Sequence, residues 1–160
     1  MPAPFFIGID GGATRCRARI GDATGRVLGD ATKKASANIA SRKPEAVMAV
    51  VLAAVRAAAR KAGIPEPEWR SAYAGLGLAG AEVRSARESL LRLFKQQGCF
   101  RKADIRTDAY VTWLGAHQGE DGAILILGTG SCGLAVVRGK ESFVSGYGPN
   151  ISDEASGQWL

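Results

Sequence analysis

Two segments, far apart in the sequence, each join an apolar strand to a turn of glycines and hydroxyl side chains. The residues of interest are Asp10, Gly11, Gly12 and Thr14 in the first segment and Gly128, Thr129, Gly130 and Ser131 in the second. Because glycine lets backbone N–H groups come close to phosphate oxygens and the hydroxyls add donors, such turns suit phosphate groups. We predict that the two turns face each other and hold a polyphosphate between them.

Three further polar residues stand near predicted helix starts. Asp108 follows an apolar strand and begins a helical pattern, Asn38 lies in a loop before the first helix, and Asp153 lies at an expected helix start. Each has an ordinary structural explanation beside a functional one, because Asp favours helix N-caps and Asn favours turns. Asp10, which precedes two glycines, is also open to explanation as a turn residue.

Hydrophobic periodicity predicts the elements that position these residues. Residues 14–21 alternate apolar and basic side chains, as in a half-buried strand, and 22–25 read as a hairpin turn. Apolar residues recur at helical spacing over 44–63, with Pro44 and Gly63 suited to the two ends. We expect strands at 4–10, 14–21, 26–32, 71–78, 103–107, 122–127, 132–138 and 142–145, and helices at 44–63, 82–97 and 108–117.

The order of these elements is βββαβαβα, followed by new strands. Antiparallel strands first, and alternating strands and helices afterwards, predict an α/β fold with a mixed sheet flanked by helices. This topology resembles the ribonuclease-H-like ATPase lobe that sugar kinases, actin and Hsp70-type proteins share. We therefore expect residues 1–118 to form an actin-like ATPase lobe and 119–160 to begin a second lobe. The final residues read as the first turn of a helix, which predicts that the chain is the first part of a longer protein.

Composition and charge favour a globular domain over other classes of protein. The chain has 160 residues, of which 46% are hydrophobic and 22% charged. It has no apolar run near the ~20 residues of a membrane span, and the three cysteines suit a reducing compartment. The net charge of +6 is spread over predicted helix faces without interleaved aromatics. We therefore expect a cytoplasmic protein with neither a membrane nor a nucleic acid as partner.

Seven short segments, in order along almost the whole chain, resemble one family. The chain is similar to the N-acetylglucosamine kinase and bacterial glucosamine kinase branch of the BadF/BadG/BcrA/BcrD ATPase family. The matching segments are Gly8-Ile9-Asp10-Gly11-Gly12-Ala13-Thr14, Ser36-Ala37-Asn38, Gly77-Leu78-Ala79-Gly80-Ala81, Thr107-Asp108-Ala109, Gly128-Thr129-Gly130-Ser131, Gly146-Tyr147-Gly148 and Ser152-Asp153-Glu154-Ala155-Ser156-Gly157. Each segment is a weak signal alone, but seven in the expected order are a specific one.

The resemblance implies ATP-dependent phosphorylation of the 6-hydroxyl of an amino sugar, either N-acetylglucosamine or glucosamine. It implies ATP and Mg²⁺ as cofactors, Asp108 as the catalytic base, and Asp10 as a carboxylate that holds Mg²⁺ through water. The residues it implies for ATP phosphates are Asp10, Gly11, Gly12, Thr14, Gly128, Thr129, Gly130 and Ser131. Those it implies for the sugar are Asn38, Asp108, Gly146, Tyr147, Gly148 and Asp153. It also implies a homodimer for the full-length protein.

Two positions depart from the family pattern, because Ala13 and Ala155 stand where glycine is usual. Each adds a methyl group next to a phosphate or substrate loop.

Two other functions stay open on the sequence: an activating ATPase of the same family, and a non-catalytic ATP-binding regulator. His117, the sole histidine, reads as a structural residue.

Overall fold

A computed structural model describes residues 4–146, 148 and 150–160 of the chain. The chain divides after Asp108 into two compact units. Within the described residues, no helix has the length and apolar character that crossing a membrane would require.

The first unit is built on a five-stranded mixed sheet in the order β3-β2-β1-β4-β5. Its elements are β1 (Phe6–Gly11), β2 (Cys16–Gly21), β3 (Val27–Lys33), α1 (Pro44–Ala62), α2 (Glu66–Trp69), β4 (Tyr73–Leu78), α3 (Arg84–Gln96) and β5 (Lys102–Arg106). The first three strands pair antiparallel, whereas β1, β4 and β5 run parallel. The predicted mixed sheet is therefore confirmed, and the carboxyl ends of β1, β4 and β5 lie at one edge of it.

The core of this unit lies between one face of the sheet and helices α1 and α3. Alternate residues of β1, such as Ile7 and Ile9, are buried, and α1 contributes Val47 and Val51 to the same core. The backbone of α1 packs closely on β3, because a side-chain carbon at Gly29 would overlap the carbonyl oxygen of Ala58. The opposite face of the sheet carries exposed side chains of the same strands, including that of Asp10.

Helix α1 ends as the sequence predicts. Gly63 adopts a φ of 69°, and its N–H donates to the carbonyl of Arg60 at 3.3 Å. This left-handed conformation at the residue after a helix is the one that glycine favours.

The buried cysteines are space-filling thiols. Cys16 is fully buried in β2, and burial together with the nearby Asp10 charge raises the pKa of its thiol to about 11. Burial also raises the pKa of the Cys99 thiol. Because a thiolate rather than a thiol is the nucleophile, neither side chain is suited to attack a substrate near neutral pH.

The second unit contains a three-stranded antiparallel sheet in the order β6-β7-β8. Helix α4 (Asp108–His117) begins at the boundary between the units and is followed by β6 (Gly122–Leu127), β7 (Ser131–Val137) and β8 (Lys140–Ser145). Ala109 and Trp113 of α4 pack with Leu134 and Val136 of β7 in a small core. The predicted bounds of α4 and β6 agree with the structure.

His117 has a structural role, as predicted. Its Nε2 lies 3.1 Å from the carbonyl oxygen of Ala123, and its ring fills the space that a side chain at Gly122 would need.

Two sequence-based expectations about helices were wrong. The second long helix was expected from residue 82, but α3 begins at Arg84, and Val83, just before it, is 40% exposed. Asp153 was expected at a helix start, but it has a φ of 68°, and residues 154–159 form turns.

Candidate functional site

The first glycine turn is held by backbone hydrogen bonds to two other segments. The N–H of Ala37 donates to the carbonyl of Gly12 at 3.0 Å, and the N–H of Ala79 donates to the carbonyl of Gly11 at 2.8 Å. Within the turn, the N–H of Gly12 donates to the carbonyl of Arg15 at 2.9 Å. Gly11 has no room for a side chain, because an added Cβ would lie 2.6 Å from Leu78 and 2.8 Å from Ala37. The turn is thereby fixed against the end of β4 and the loop that carries Asn38.

Two backbone donors of this turn are available to a ligand. No described residue accepts a hydrogen bond from the N–H of Ala13 or of Thr14, and both residues are exposed. Exposed, unpaired N–H groups in a glycine-containing turn can bind phosphate oxygens.

Asp10 lies in β1 at the edge where the parallel strands end. It is exposed, and its neighbours in the adjacent strands are Arg17 in β2 and Gly77 in β4. Gly77 has no side chain, so the space beside the carboxylate is open on that strand. Within the described part of the chain, no hydrogen bond or ion pair to the Asp10 carboxylate is formed. The charge is therefore available to a ligand.

Asn38 forms a turn, which is the structural explanation that the sequence left open. Its Oδ1 accepts hydrogen bonds from the N–H groups of Ala40 and Ser41, at 2.9 and 3.3 Å. The next residue, Ile39, donates its N–H to the carbonyl of Ala79 at 2.9 Å. The side-chain oxygen of Asn38 thus fixes the loop, and its NH₂ group is the part left to contact a ligand.

Gly80, in the loop after β4, holds a position that the sequence alone did not indicate as part of the site. It has a φ of 82°, and a Cβ at this position would lie 2.6 Å from the backbone nitrogen of Ala40 and 2.7 Å from Asn38 Oδ1. Only glycine therefore lets the loop after β4 pack directly against the Asn38 turn. The short motif Gly77-Leu78-Ala79-Gly80 is the feature of the sequence that could have indicated this close packing.

Asp108 lies just beyond the carboxyl end of β5, as the first residue of α4, and its side chain is half-buried. Since Arg106 of β5 aligns with Gly77, which itself aligns with Asp10, Asp108 belongs to the same edge of the sheet as Asp10. The first unit therefore brings Asp10, Asn38 and Asp108 to one edge. A negative charge at the first residue also favours the helix itself.

The second glycine turn joins β6 to β7. Within it, the N–H of Gly128 donates to the carbonyl of Gly130 at 2.9 Å. Residues near the end of the chain brace the turn: Gly157 donates to the carbonyl of Gly128 at 2.8 Å, and Gln158 to that of Thr129 at 3.2 Å. In the part of the chain that the structure covers, the N–H groups of Thr129 and Gly130 have no acceptor. This turn too offers donors to an anion.

Asp153 is buried beside this turn rather than at a helix start. It is 6% exposed and has a φ of 68°, and its Oδ1 accepts the N–H of Gly146 at 3.1 Å. A Cβ at Gly130 would lie 2.7 Å from Asp153 Oδ2, so the turn approaches the carboxylate closely because it has glycine there. Nearby, the carbonyl of Gly148 accepts the N–H of Ser152 at 2.8 Å. Tyr147, also predicted to contact sugar, lies outside the described residues.

Ser131 is buried, and its hydroxyl donates to the carbonyl of Glu154 at 2.9 Å. The single proton of this hydroxyl is thereby engaged within the protein. The other hydroxyl residue of the second turn, Thr129, is exposed. Whether the two turns face each other stays a prediction.

The two alanines that replace usual glycines differ in their backbone. Ala155 adopts a φ of 61°, a left-handed conformation that suits glycine, whereas Ala13 is not among the described residues with positive φ. We expect Ala155→Gly to raise the free energy of unfolding by about 0.5–1 kcal/mol, because it relieves the backbone at that position. Chemical denaturation measures the change. Ala13→Gly is the matched control and should give no gain; equal gains at both positions would contradict the explanation.

Residues 7–160 match the BadF/BadG/BcrA/BcrD ATPase family. The chain is 43% identical to glucosamine kinase GspK of Vibrio cholerae over 153 residues, which are 96% of the chain and 50% of that protein. It is 29% identical to an N-acetylmuramic acid/N-acetylglucosamine kinase of Clostridium acetobutylicum, over 96% of the chain and 49% of that protein.

A solved structure from Chromobacterium violaceum, described as a candidate N-acetylglucosamine kinase, superimposes with a TM-score of 0.87 at 34% identity. The match covers 98% of the chain and 54% of that structure. The chain spans about half the length of the curated relatives that it matches. The extent of the family match, together with the glycine turns and the strand order, shows that the chain belongs to the BadF/BadG/BcrA/BcrD ATPase family.

Proposed function

We propose that the protein carrying this chain transfers a phosphoryl group from ATP to the 6-hydroxyl of glucosamine or N-acetylglucosamine. The observation that carries the proposal is the 43% identity, over nearly the whole chain, to a relative named a glucosamine kinase. The edge of the first sheet supports it, because an exposed carboxylate, a turn with unpaired N–H groups and a second aspartate meet there.

Asp108 is the proposed catalytic base. Its half-buried carboxylate lies just beyond β5, at the edge where the parallel strands end, and ligands of open α/β sheets bind at that edge, which supports the proposal. An aspartate is a weak base for a sugar hydroxyl, but phosphoryl transfer has a loose transition state in most analyses, in which the proton can leave late. The main work of Asp108 is then to orient the hydroxyl and to accept its proton.

The proposed phosphate contacts are Gly11, Gly12, Thr14, Gly128, Thr129 and Gly130, with Asp10 beside them. Ser131 was expected to be a further contact, but its hydroxyl proton is engaged by the Glu154 carbonyl, so we assign it to the support of the turn. The unpaired N–H groups of both turns fit phosphate oxygens, since those oxygens only accept hydrogen bonds. When bound, MgATP supplies the phosphoryl group, and Mg²⁺ offsets the negative charge of its oxygens. The residues of the chain hold and orient these groups.

Asp10 is the proposed residue for Mg²⁺, which it would hold through water. The described residues form no cluster of three acidic, histidine or cysteine ligands. A single exposed carboxylate fits Mg²⁺, because this ion keeps several waters and is often bound by one or two carboxylates and the phosphates.

The proposed sugar contacts are Asn38, Asp108, Gly146, Tyr147, Gly148 and Asp153. Sugar hydroxyls both donate and accept hydrogen bonds, so they fit a mixture of carboxylates, amides and backbone groups. Asn38 has its NH₂ group for this task, because its Oδ1 accepts hydrogen bonds within the loop. Asp153 has its Oδ2, because its Oδ1 accepts the N–H of Gly146.

The remaining features of the proposal concern the whole protein. We propose that it acts on small molecules rather than on nucleic acid, that it forms a homodimer and that it works in the cytoplasm. Residues 1–118 and 119–160 are the proposed parts of an ATPase lobe and of a second lobe.

The test is a coupled ADP-release assay on the natural gene product with Mg²⁺, ATP and a panel of hexoses and hexosamines. We expect turnover that depends on glucosamine or N-acetylglucosamine and exceeds that with glucose. ATP hydrolysis without any sugar would favour an activating ATPase. ATP binding without turnover on any sugar would favour a regulator, and either result would overturn the proposal.

A further inference from the structure

Ser145, the last residue of β8, is a polar residue outside the proposed catalytic and binding residues. Its hydroxyl oxygen accepts the N–H of Asp153 at 2.9 Å and lies 3.4 Å from the hydroxyl oxygen of Ser131. Ser145 therefore lies between a predicted phosphate-binding turn and a predicted sugar-binding carboxylate.

The direction of these hydrogen bonds follows from the chemistry of the groups. The carbonyl of Glu154 can only accept, so Ser131 donates its one hydroxyl proton to it, at 2.9 Å. The Ser131 oxygen is then the acceptor in its pair with Ser145, and the Ser145 hydroxyl donates. A continuous series of bonds thus runs from the Asp153 N–H through both serine hydroxyls to the Glu154 carbonyl.

The same bonds hold a backbone that is unfavourable by itself. Ser145 has a φ of 65° and Asp153 a φ of 68°, both in the left-handed region that L side chains rarely adopt. Such conformations persist when surrounding contacts over-determine them, and they cluster at ligand-binding sites. The residue after Ser145 also holds the Asp153 carboxylate, because the N–H of Gly146 donates to Asp153 Oδ1 at 3.1 Å.

We propose that Ser145 is a positioning residue, which through its hydroxyl fixes Asp153 relative to the turn at 128–131. The inference rests on the proposed function, because it gives the sugar-binding carboxylate and the phosphate-binding turn a shared support. Removal of the hydroxyl should therefore weaken the use of both substrates, although Ser145 itself contacts neither.

Two substitutions separate the hydroxyl from the backbone. Ser145→Ala removes the hydroxyl, and Ser145→Gly removes it while relieving the left-handed φ. In the natural gene product, we expect both to raise the KM for the amino sugar and the KM for ATP, with kcat/KM about tenfold lower, as for the loss of one or two hydrogen bonds. Ser142→Ala, an exposed serine of the same strand, is the matched control and should stay within about twofold. Full activity of Ser145→Gly would overturn the inference.

A second measurement does not depend on catalysis. Hydrogen exchange of the Gly146 and Asp153 amides, without ligands, should be faster in Ser145→Gly than in the parent or in Ser142→Ala. Unchanged exchange would overturn the inference whatever the kinetics show. A parent protein that turns over no sugar would instead refute the proposed function, and exchange would still decide whether Ser145 holds Asp153.

Discussion

Asp108→Asn in the natural gene product should lower kcat by about 10²–10⁴-fold, the range for loss of a general base. Asparagine keeps the size of the side chain and one oxygen acceptor, so the sugar should still bind with only a modest change in affinity. What is lost is the group that takes the proton from the attacking hydroxyl. Steady-state ADP release gives kcat, and a separate binding titration with the amino sugar gives its affinity.

The matched control for Asp108 is Asp104→Asn, the same change at an exposed residue of β5. Asp104 forms an ion pair with Arg106 at 3.3 Å on the surface, where such pairs contribute little. We expect its kcat to stay within about twofold of the parent. A near-normal kcat for Asp108→Asn, together with lower thermal stability, would instead assign Asp108 to the start of α4, where a negative charge contributes about 0.3–1 kcal/mol.

The secondary structure was predictable where local sequence carries the physical cause. The alternation of Cys16, Ala18 and Ile20 with arginines places one face of β2 in the core, and the structure buries those three residues. Likewise, Gly63 ends α1 because the residue after a helix favours a left-handed backbone. The order of strands and helices then limited the fold to one with parallel strands ending at a common edge.

The failures lie where pairing or tertiary packing decides the outcome. The second strand was expected from residue 14, but pairing with β1 begins at Cys16, because the turn before it closes with the bond from Gly12 to Arg15. The short helix α2 was also missed. Four residues are too few to show helical periodicity, so nothing in the local pattern indicated it.

For the candidate site, the sequence indicated which residues could contact a ligand, but not which segments pack around those residues. Asp10 and Asp108 could be assigned to one edge, because Asp10 lies at the end of one strand and Asp108 just beyond the end of another, and the two strands run in the same direction. The close approach of Gly80 to Asn38 and that of Gly130 to Asp153 could not be predicted, since each depends on segments that meet only in the folded chain. The left-handed Ser145 likewise has no signature in its neighbours, because serine does not favour that conformation.

Asp10→Asn should lower kcat by about 10²-fold or more and should raise the Mg²⁺ concentration needed for half-maximal rate. The neutral amide no longer attracts a hydrated cation, and stabilisation of charge at the transferring phosphoryl group is usually a large part of such catalysis. The substitution is conservative for folding, because the carboxylate is exposed and makes no hydrogen bond or ion pair in the described part of the chain. ADP release measured across a Mg²⁺ titration at saturating ATP and sugar tests both effects.

Asp30→Asn is the control that isolates the role of Asp10. Both aspartates are exposed strand residues aligned with an arginine of β2, Asp10 with Arg17 and Asp30 with Arg19, but Asp30 lies on the far strand β3 and away from the glycine turn. Both variants therefore lose a surface carboxylate that is aligned with an arginine, so the effect of that loss is the same in both. If Asp10 acts through a hydrated cation, only its variant should need more Mg²⁺. Equal Mg²⁺ dependence and equal kcat in the parent and both variants would mean that Asp10 is a strand residue without a role in catalysis.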